Sequence, residues 1–421
     1  MRVFILGYGL IGSNAARMLA GEPSIERITL GGRNLDRVVR TAEGLGPKVD
    51  AVEIDSIQVE KLSGLLAEYD ILVNAAPKGV LIPAIRAATQ ARASYCDMLP
   101  FTELGVNREV LDGAQSAGVT GIHGNGVACG LSNQAGVLAA QQLDEVLEIH
   151  NGLELSWLYL VLLDDEQWES HFGIHREADS ERVPEAFHGE ISDRVSIIRD
   201  STLIEFWTKQ AWLKEGKSVL SYRNGTWTEV DPVEHGVDIP LLSGGDTIAH
   251  PACGQIPTGA LPQQASVPTA QFRFSGFTRS FDRQRRAHAE KCSTAETSNE
   301  IPTGLINRLM DHPDEVLPHP NDYTERLPFW VSAFGTKNEW PARYTVWLTK
   351  EVLTRGNLIT LNAAPLVASA LAILNGEIDF SGIRPVEDVF EFTEMLARIH
   401  RYLPDRLPQE HVFGRRLDFL D

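Results

Sequence analysis

Near the start of the chain, Gly7-Tyr8-Gly9-Leu10-Ile11-Gly12 spaces three glycines as GxGxxG. That spacing carries chemistry when it joins a strand to a helix. Val3 to Leu6 is a short apolar run suited to a buried parallel strand, and Ser13 to Leu19 places Ala15, Met18 and Leu19 at helical spacing. In that setting Gly7 permits a tight turn, Gly9 lets the backbone approach a diphosphate, and Gly12 lets helix and strand pack closely. The backbone N–H groups that open the helix, around Leu10 and Ile11, carry partial positive charge that suits a phosphate. A dinucleotide is the ligand these residues predict.

The end of the second strand bears on which dinucleotide. An NAD site usually has Asp or Glu there, on the ribose hydroxyls. This chain has Gly31-Gly32-Arg33-Asn34 instead, and its nearest acid, Asp36, falls in the next predicted helix. A guanidinium at Arg33, flanked by Gly32 and Asn34, can grip a 2′-phosphate with two hydrogen bonds and stack on adenine. NADP(H) is therefore preferred. NAD(H) stays possible if Arg33 merely lies on the surface. Asp55 ends the third strand, where it either binds the adenine amino group or caps a helix. Ala75, Ala76 and Pro77 follow the fourth strand, and their small side chains leave room for ribose and nicotinamide.

Three further side chains could handle protons at the carboxyl edge of such a sheet: Asp97, His123 and Cys129. Asp97 follows the fifth strand and could orient or protonate a substrate nitrogen, or simply cap a turn. Cys129 could act as an acid or serve as a small buried filler. His123 ends the next strand. Glu169, His171 and His175 do not follow HExxH spacing, so no metal site is expected. His250, Arg273, Arg279 and Lys337 are available to bind a carboxylate, and Trp168, Trp207, Trp212 and Trp227 suit a second domain's core or a dimer face.

The elements that would position these groups alternate strand and helix from residue 3 to residue 123, which predicts a Rossmann-type α/β domain with a doubly wound parallel sheet. Ser132 reads as the cap of a helix running to about Leu147. Beyond it, predicted strands at 153–163, 227–230, 271–277 and 342–348 are separated by long connections. They indicate an inserted α+β substrate or dimerisation domain. Near the end, 363–375 is strongly apolar and 386–403 is a second helix, both expected to pack back on the first domain. The boundaries expected are 1–132, 133–360 and 361–421.

With 421 residues, several domains are expected. The net charge of −19 argues against nucleic acid or an anionic membrane as main partner. Four cysteines, none at CxxC spacing, fit reduced thiols in a cytoplasm. No apolar run approaches the roughly 20 residues of a membrane span, and the opening strand leaves no room for a signal peptide.

Several segments together resemble the saccharopine dehydrogenase family. They are the glycine fingerprint, Val73-Asn74-Ala75-Ala76-Pro77, Ser94-Tyr95-Cys96-Asp97-Met98, and Gly126 to Asn133. The resemblance continues in Arg223-Asn224-Gly225-Thr226-Trp227, Phe274-Ser275-Gly276-Phe277, and Ala364-Pro365-Leu366 to Gly376-Glu377-Ile378. It implies hydride transfer at a C–N bond, in which an imine formed from an amine or amino acid and a carbonyl compound is reduced. It also implies a homodimer. Where family members often carry Asp-Pro-Gly before the connecting helix, this chain has Ala128-Cys129-Gly130. Two rival activities share the glycine motif: reduction of a C=O or C=C bond in a small molecule, and nucleotide binding without turnover.

Overall fold

The computed structural model describes residues 1–76, 78–99, 108–154, 164–172, 219–230, 237–240, 246–251, 267–275, 312, 315, 329–349, 358–403 and 412–420. It divides into two compact units. The first gathers Met1–Gln134 and Leu358–Leu403; the second includes the described residues from Ala135 to Thr349 and the last strand of the chain.

In the first unit, β1 (Arg2–Leu6), β2 (Arg27–Gly32), β3 (Val49–Glu53), β4 (Ile71–Asn74), β5 (Ser94–Asp97) and β6 (Thr120–His123) alternate with α1 (Leu10–Ala20), α2 (Leu35–Glu43), α3 (Val59–Leu66), α4 (Leu81–Ala91) and α5 (Arg108–Ser116). The strands form one parallel sheet whose spatial order from one edge is β3, β2, β1, β4, β5, β6. The chain reverses its winding between β1 and β4. At such a switch point the strand ends open a crevice, and there ligands bind. The core strands are apolar throughout: Val3, Phe4, Ile5, Ile71, Leu72 and Val73 have no exposed surface. Burial on both faces is the reason these runs do not alternate.

Two late elements complete this unit. The helix expected at 363–375 starts earlier, at Leu358, and runs to Leu374 as α8. Pro365 therefore lies inside it. α8 contains no charged residue, packs along α1 and touches β4 and β5. A strand not anticipated, β15 (Gly382–Pro385), joins the sheet beside β6 in parallel. The region expected to be one helix at 386–403 is broken into a 3-10 turn at Val386–Asp388, α9 (Phe392–Ile399) and a second turn at His400–Tyr402.

The second unit holds a mixed sheet. A helix expected to reach Leu147 stops at Ala140 as α6 (Ser132–Ala140), and Leu147 lies in β7 (Glu145–Glu154). β7 pairs in parallel with β12 (Thr269–Ser275) and antiparallel with β13 (Phe329–Lys337). β13 forms a hairpin with β14 (Trp340–Leu348), and β14 pairs with β16 (Phe413–Phe419). The end of the 361–421 segment is thus an edge strand here rather than helix returning to the first unit. On the other side, β10 (Val237–Pro240) and β11 (Asp246–Pro251) extend the sheet from β12, and the hairpin β8 (Val219–Arg223)–β9 (Thr226–Val230) attaches through β8. Asn224 and Gly225 both take positive φ in that tight turn, as two-residue hairpins require. α7 (Asp165–Phe172) is the remaining described helix of this unit. Among the described residues no helix is long and apolar enough to cross a membrane.

Candidate functional site

The glycine turn forms as its spacing requires. Gly7 has φ +105° and donates its N–H to the Gly31 carbonyl on β2, 2.9 Å away. A side chain at Gly7 would start 2.8 Å from the Ala75 carbonyl oxygen, and one at Gly12 only 1.9 Å from the Gly7 carbonyl oxygen. Gly9 differs, since a Cβ there would meet nothing within 4 Å. It is the N-cap of α1 in extended conformation, with no side chain bonded to the helix start and no acid in the first turn. The opening N–H groups of α1, around Leu10 and Ile11, are therefore capped by no side chain, and the Gly9 position before them is open. This arrangement fits a diphosphate without adjustment.

The end of β2 is equally bare. Gly31 is packed by the Phe4 ring and Gly32 by the Tyr8 ring, either of which a side chain would displace. Tyr8 lies inside the fingerprint, at a position that the spacing leaves free. Arg33 follows and is exposed. Asn34 turns inward on its own helix, accepting a hydrogen bond from the Arg37 N–H at 3.0 Å as the N-cap of α2. Asp55 is half-buried and accepts from the Ile57 N–H at 3.3 Å in a turn, while Gln58 caps α3. Ala75 donates its N–H to Leu6 at 2.8 Å, which fixes it beside Gly7. Pro77 lies outside the described residues.

The proton-handling candidates are placed less openly. Asp97 ends β5 with no exposed surface. Its carboxylate accepts from the Tyr95 hydroxyl, from Asn74 Nδ2 at 2.6 Å and from the Leu99 N–H. Burial pushes this carboxyl up to about 7, against the pull of those three donors. Burial also raises the Tyr95 hydroxyl well above its usual range. His123 ends β6, is 4% exposed, and is pushed down to about 3 by burial, so its ring is neutral. Cys129 falls in a single π-helical turn, Val127–Leu131, that leads into α6; its side chain lies outside the described residues. Such turns often occur at functional sites. Asp97 and His123 share the carboxyl edge of neighbouring strands, but both face the interior.

Buried amides, which composition alone does not flag, organise this edge. Asn74 bridges Tyr95, Asp97 and the Ala76 N–H. Asn125 donates to the carbonyls of Asp97 and Ile122 and accepts from Ser369 of α8. Asn362, also on α8, accepts from the Val127 N–H at 3.1 Å. The signal available was an asparagine at the end of an otherwise apolar strand, since a buried amide must find partners.

Of the remaining candidates, Lys337 pairs with Asp144 at 2.7 Å beside its own hairpin. Trp168 is buried in α7, and Trp227 packs edge-on against Tyr222. Glu169 is exposed on α7. His171 lies on α7, His250 on β11 and Arg273 on β12, but their side chains are outside the described residues; so are His175, Trp207, Trp212 and Arg279.

Residues 3–122 match the family described as saccharopine dehydrogenase NADP binding domain. Among solved structures, the chain is similar to the apo saccharopine dehydrogenase (L-Glu forming) of Saccharomyces cerevisiae, at 11% identity and TM-score 0.61, covering 100% of both chains. It is also similar to the homospermidine synthase of Legionella pneumophila, solved with NAD, at 12% identity and TM-score 0.55, covering 99% of this chain and 91% of that one. At these identities the likeness is one of fold. The segment from β1 to β6 is thus similar to the nicotinamide-nucleotide-binding domain of saccharopine dehydrogenases, in a chain whose fold is like that of a saccharopine dehydrogenase.

Proposed function

We propose that the protein is an NADPH-dependent oxidoreductase that acts at a C–N bond, reducing an imine formed between an amine or amino acid and a carbonyl compound. The observation that carries the cofactor part of this reading is the uncapped start of α1 beneath the open face of Gly9, next to a β2 end that lacks an acid and is followed by exposed Arg33, whereas the C–N part rests on the family resemblance of the segments quoted above. Backbone N–H groups near Leu10 and Ile11 hold the diphosphate. Arg33 holds the 2′-phosphate. The Ala75–Ala76 turn supports the ribose and nicotinamide. NADPH supplies the hydride when bound.

Imine reduction then asks the protein for positioning, exclusion of water and a protonated nitrogen, more than for a nucleophile. Where family members often carry Asp-Pro-Gly before α6, this chain has Ala128-Cys129-Gly130, so a carboxylate that could help position an amine is missing there. The fold neighbours named above, a saccharopine dehydrogenase and a homospermidine synthase, make secondary amines the first products to look for.

The test is a screen of NADPH oxidation at 340 nm with paired amines and 2-oxo acids or aldehydes, against each carbonyl alone. Oxidation only with the pairs supports the reading. Oxidation with carbonyls alone, at equal rate, replaces it with a simple carbonyl reductase. For the cofactor, Arg33→Asp should weaken NADPH binding by about tenfold or more and favour NADH. An unchanged NADPH Kd would remove the phosphate role from Arg33.

A further inference from the structure

Asn74 sits at the end of β4 with no exposed surface and uses both ends of its amide. Its Oδ1 accepts from the Ala76 N–H at 3.1 Å, and its Nδ2 donates to Asp97 Oδ2 at 2.6 Å and to the Tyr95 hydroxyl at 3.2 Å. This pattern has only one orientation. Turning the amide over would point Nδ2 at an N–H group and Oδ1 at a carboxylate, both repulsive. The Ala76 N–H and the carboxylate of Asp97 therefore decide together which way Asn74 faces. Asn74 in turn anchors the Ala75–Ala76 turn, whose Ala75 carbonyl is packed against Gly7 of the glycine loop.

We propose that Asp97 is a positioning residue: acting through Asn74, its carboxylate locks the Ala75–Ala76 turn against the glycine loop and thereby sets affinity for the nicotinamide nucleotide. This rests on the cofactor reading above and extends it to a residue that does not touch the ligand. An ionised Asp97 accepts from Asn74, Tyr95 and the Leu99 N–H at once. A proton on it turns one accepting oxygen into a donor, so the bond from Tyr95 must reverse or break and Asn74 is left donating to a neutral acid, a weaker acceptor than a carboxylate, which loosens the lock.

Ionisation falls in a testable range because burial brings the carboxyl up to about 7. Among the described residues, no charged group stands beside it. From β5 come Tyr95 and the Cys96 thiol, both raised by burial and uncharged near neutrality. From β6 comes His123, neutral above about pH 3. α8 contributes no ionisable side chain, and Arg86, the sole charged residue of α4, is exposed. Among the described residues, no cation is a cause of the Asp97 shift. The ionised form is the locking form, so affinity should fall as pH drops through about 7.

NADH is the probe of choice, because it lacks the 2′-phosphate whose own titration would confuse the profile. Its Kd, read by fluorescence on the whole protein, should rise about tenfold between about pH 8 and about pH 6, the scale of one hydrogen bond to a charged group. Asp97→Asn, checked for folding by circular dichroism, should bind NADH about tenfold more weakly at pH 8 and show a flat profile. Its kcat with saturating cofactor should change less than about threefold.

A wild-type profile that is itself flat overturns the proposal without any variant, so a failure of Asp97→Asn to fold does not shield it. Retention of the wild-type Kd and slope in Asp97→Asn also overturns it. So does a large fall in kcat at unchanged Kd, which would make Asp97 a group acting on substrate. Absence of binding by either nucleotide at every pH overturns the cofactor reading itself, a result distinct from binding that is indifferent to pH.

Discussion

Two turns of the first unit have nearly the same construction and opposite exposure. After β1, Gly7 takes φ +105° and bonds to the neighbouring strand's end; after β6, Gly124 takes φ +75° and bonds to Leu99 beyond β5. Gly9 and Gly126 are the extended N-caps that follow, neither helped by a side chain of its own. A Cβ on Gly12 would lie 1.9 Å from the Gly7 oxygen, and a Cβ on Gly130 would lie 2.2 Å from the Gly124 oxygen. The second turn has one residue more between its last two glycines, and the π-helical turn Val127–Leu131 absorbs it. What separates them is the cover. The first helix start is open, whereas at the second Asn362 reaches over from α8 and accepts from Val127. The glycine pattern therefore reports a way of joining strand to helix at close range. Whether a ligand binds depends on what else reaches the N–H groups.

The largest effects should come from the feature the turns share. Gly12→Ala and Gly130→Ala both drive a methyl into backbone that cannot yield, and each should cost roughly 3 kcal/mol or more in urea denaturation. If their effects differ widely, the likeness between the turns is superficial. Gly9→Ala sharpens the contrast instead. Its methyl meets no protein atom within 4 Å, so the melting temperature should barely move. The methyl would stand where a diphosphate approaches, and NADPH affinity should fall about tenfold. Loss of stability with unchanged affinity would mean that the open face of Gly9 is not the phosphate site.

The first turn was legible in the sequence because three glycines at fixed spacing followed an apolar run. The second was only partly so: Gly124, Gly126 and Gly130 are visible, but an inserted residue hides the relation until the backbone shows a π turn. The same limit applies elsewhere. Parallel strands read well from short apolar runs, since every position is buried. β15 was missed because Gly382-Ile383-Arg384-Pro385 has no such run; its pairing with β6 is enforced by tertiary contact. The apolar surface of α8 announced a buried helix, yet nothing local revealed that Asn362 and Ser369 are the two polar positions that reach the edge of the sheet. For the site, the backbone cradle and Arg33 could be inferred from spacing. The inward turn of Asp97 could not, because its partner Asn74 lies 23 residues away and only the parallel register of β4 and β5 brings the two together.

Asn362→Ala tests the cover directly. The Val127 N–H would lose its acceptor, at about 1 kcal/mol, the cost of removing a helix cap. NADPH affinity should stay as in wild type. A fall in affinity would place the second turn within the nucleotide site and dissolve the contrast between them.

The smallest effect concerns the brace behind the second turn. Asn133, at the start of α6, donates to Glu387 Oε1 at 3.0 Å, and burial pushes the Glu387 carboxyl up to about 8 from its ordinary value near 4.5. The fold thus favours the protonated acid. Between those two values the unfolded chain has released a proton that the native chain still holds, so stability falls as pH rises. The stabilisation is complete below about 4.5 and gone once pH passes about 8. Asp97, raised to about 7, has the same sign over a lower window, while His123, lowered to about 3, has the opposite sign and acts only below its ordinary value near 6.5. Above neutrality Glu387 is therefore the main contributor of the three. Wild type should lose a few degrees of melting temperature between about pH 7 and about pH 9. Glu387→Gln, which keeps an acceptor for Asn133 but cannot ionise, should lose less and be at least as stable as wild type at the alkaline end. Parallel melting curves for the two proteins would show that the second turn rests on packing alone and owes nothing to a neutral carboxyl.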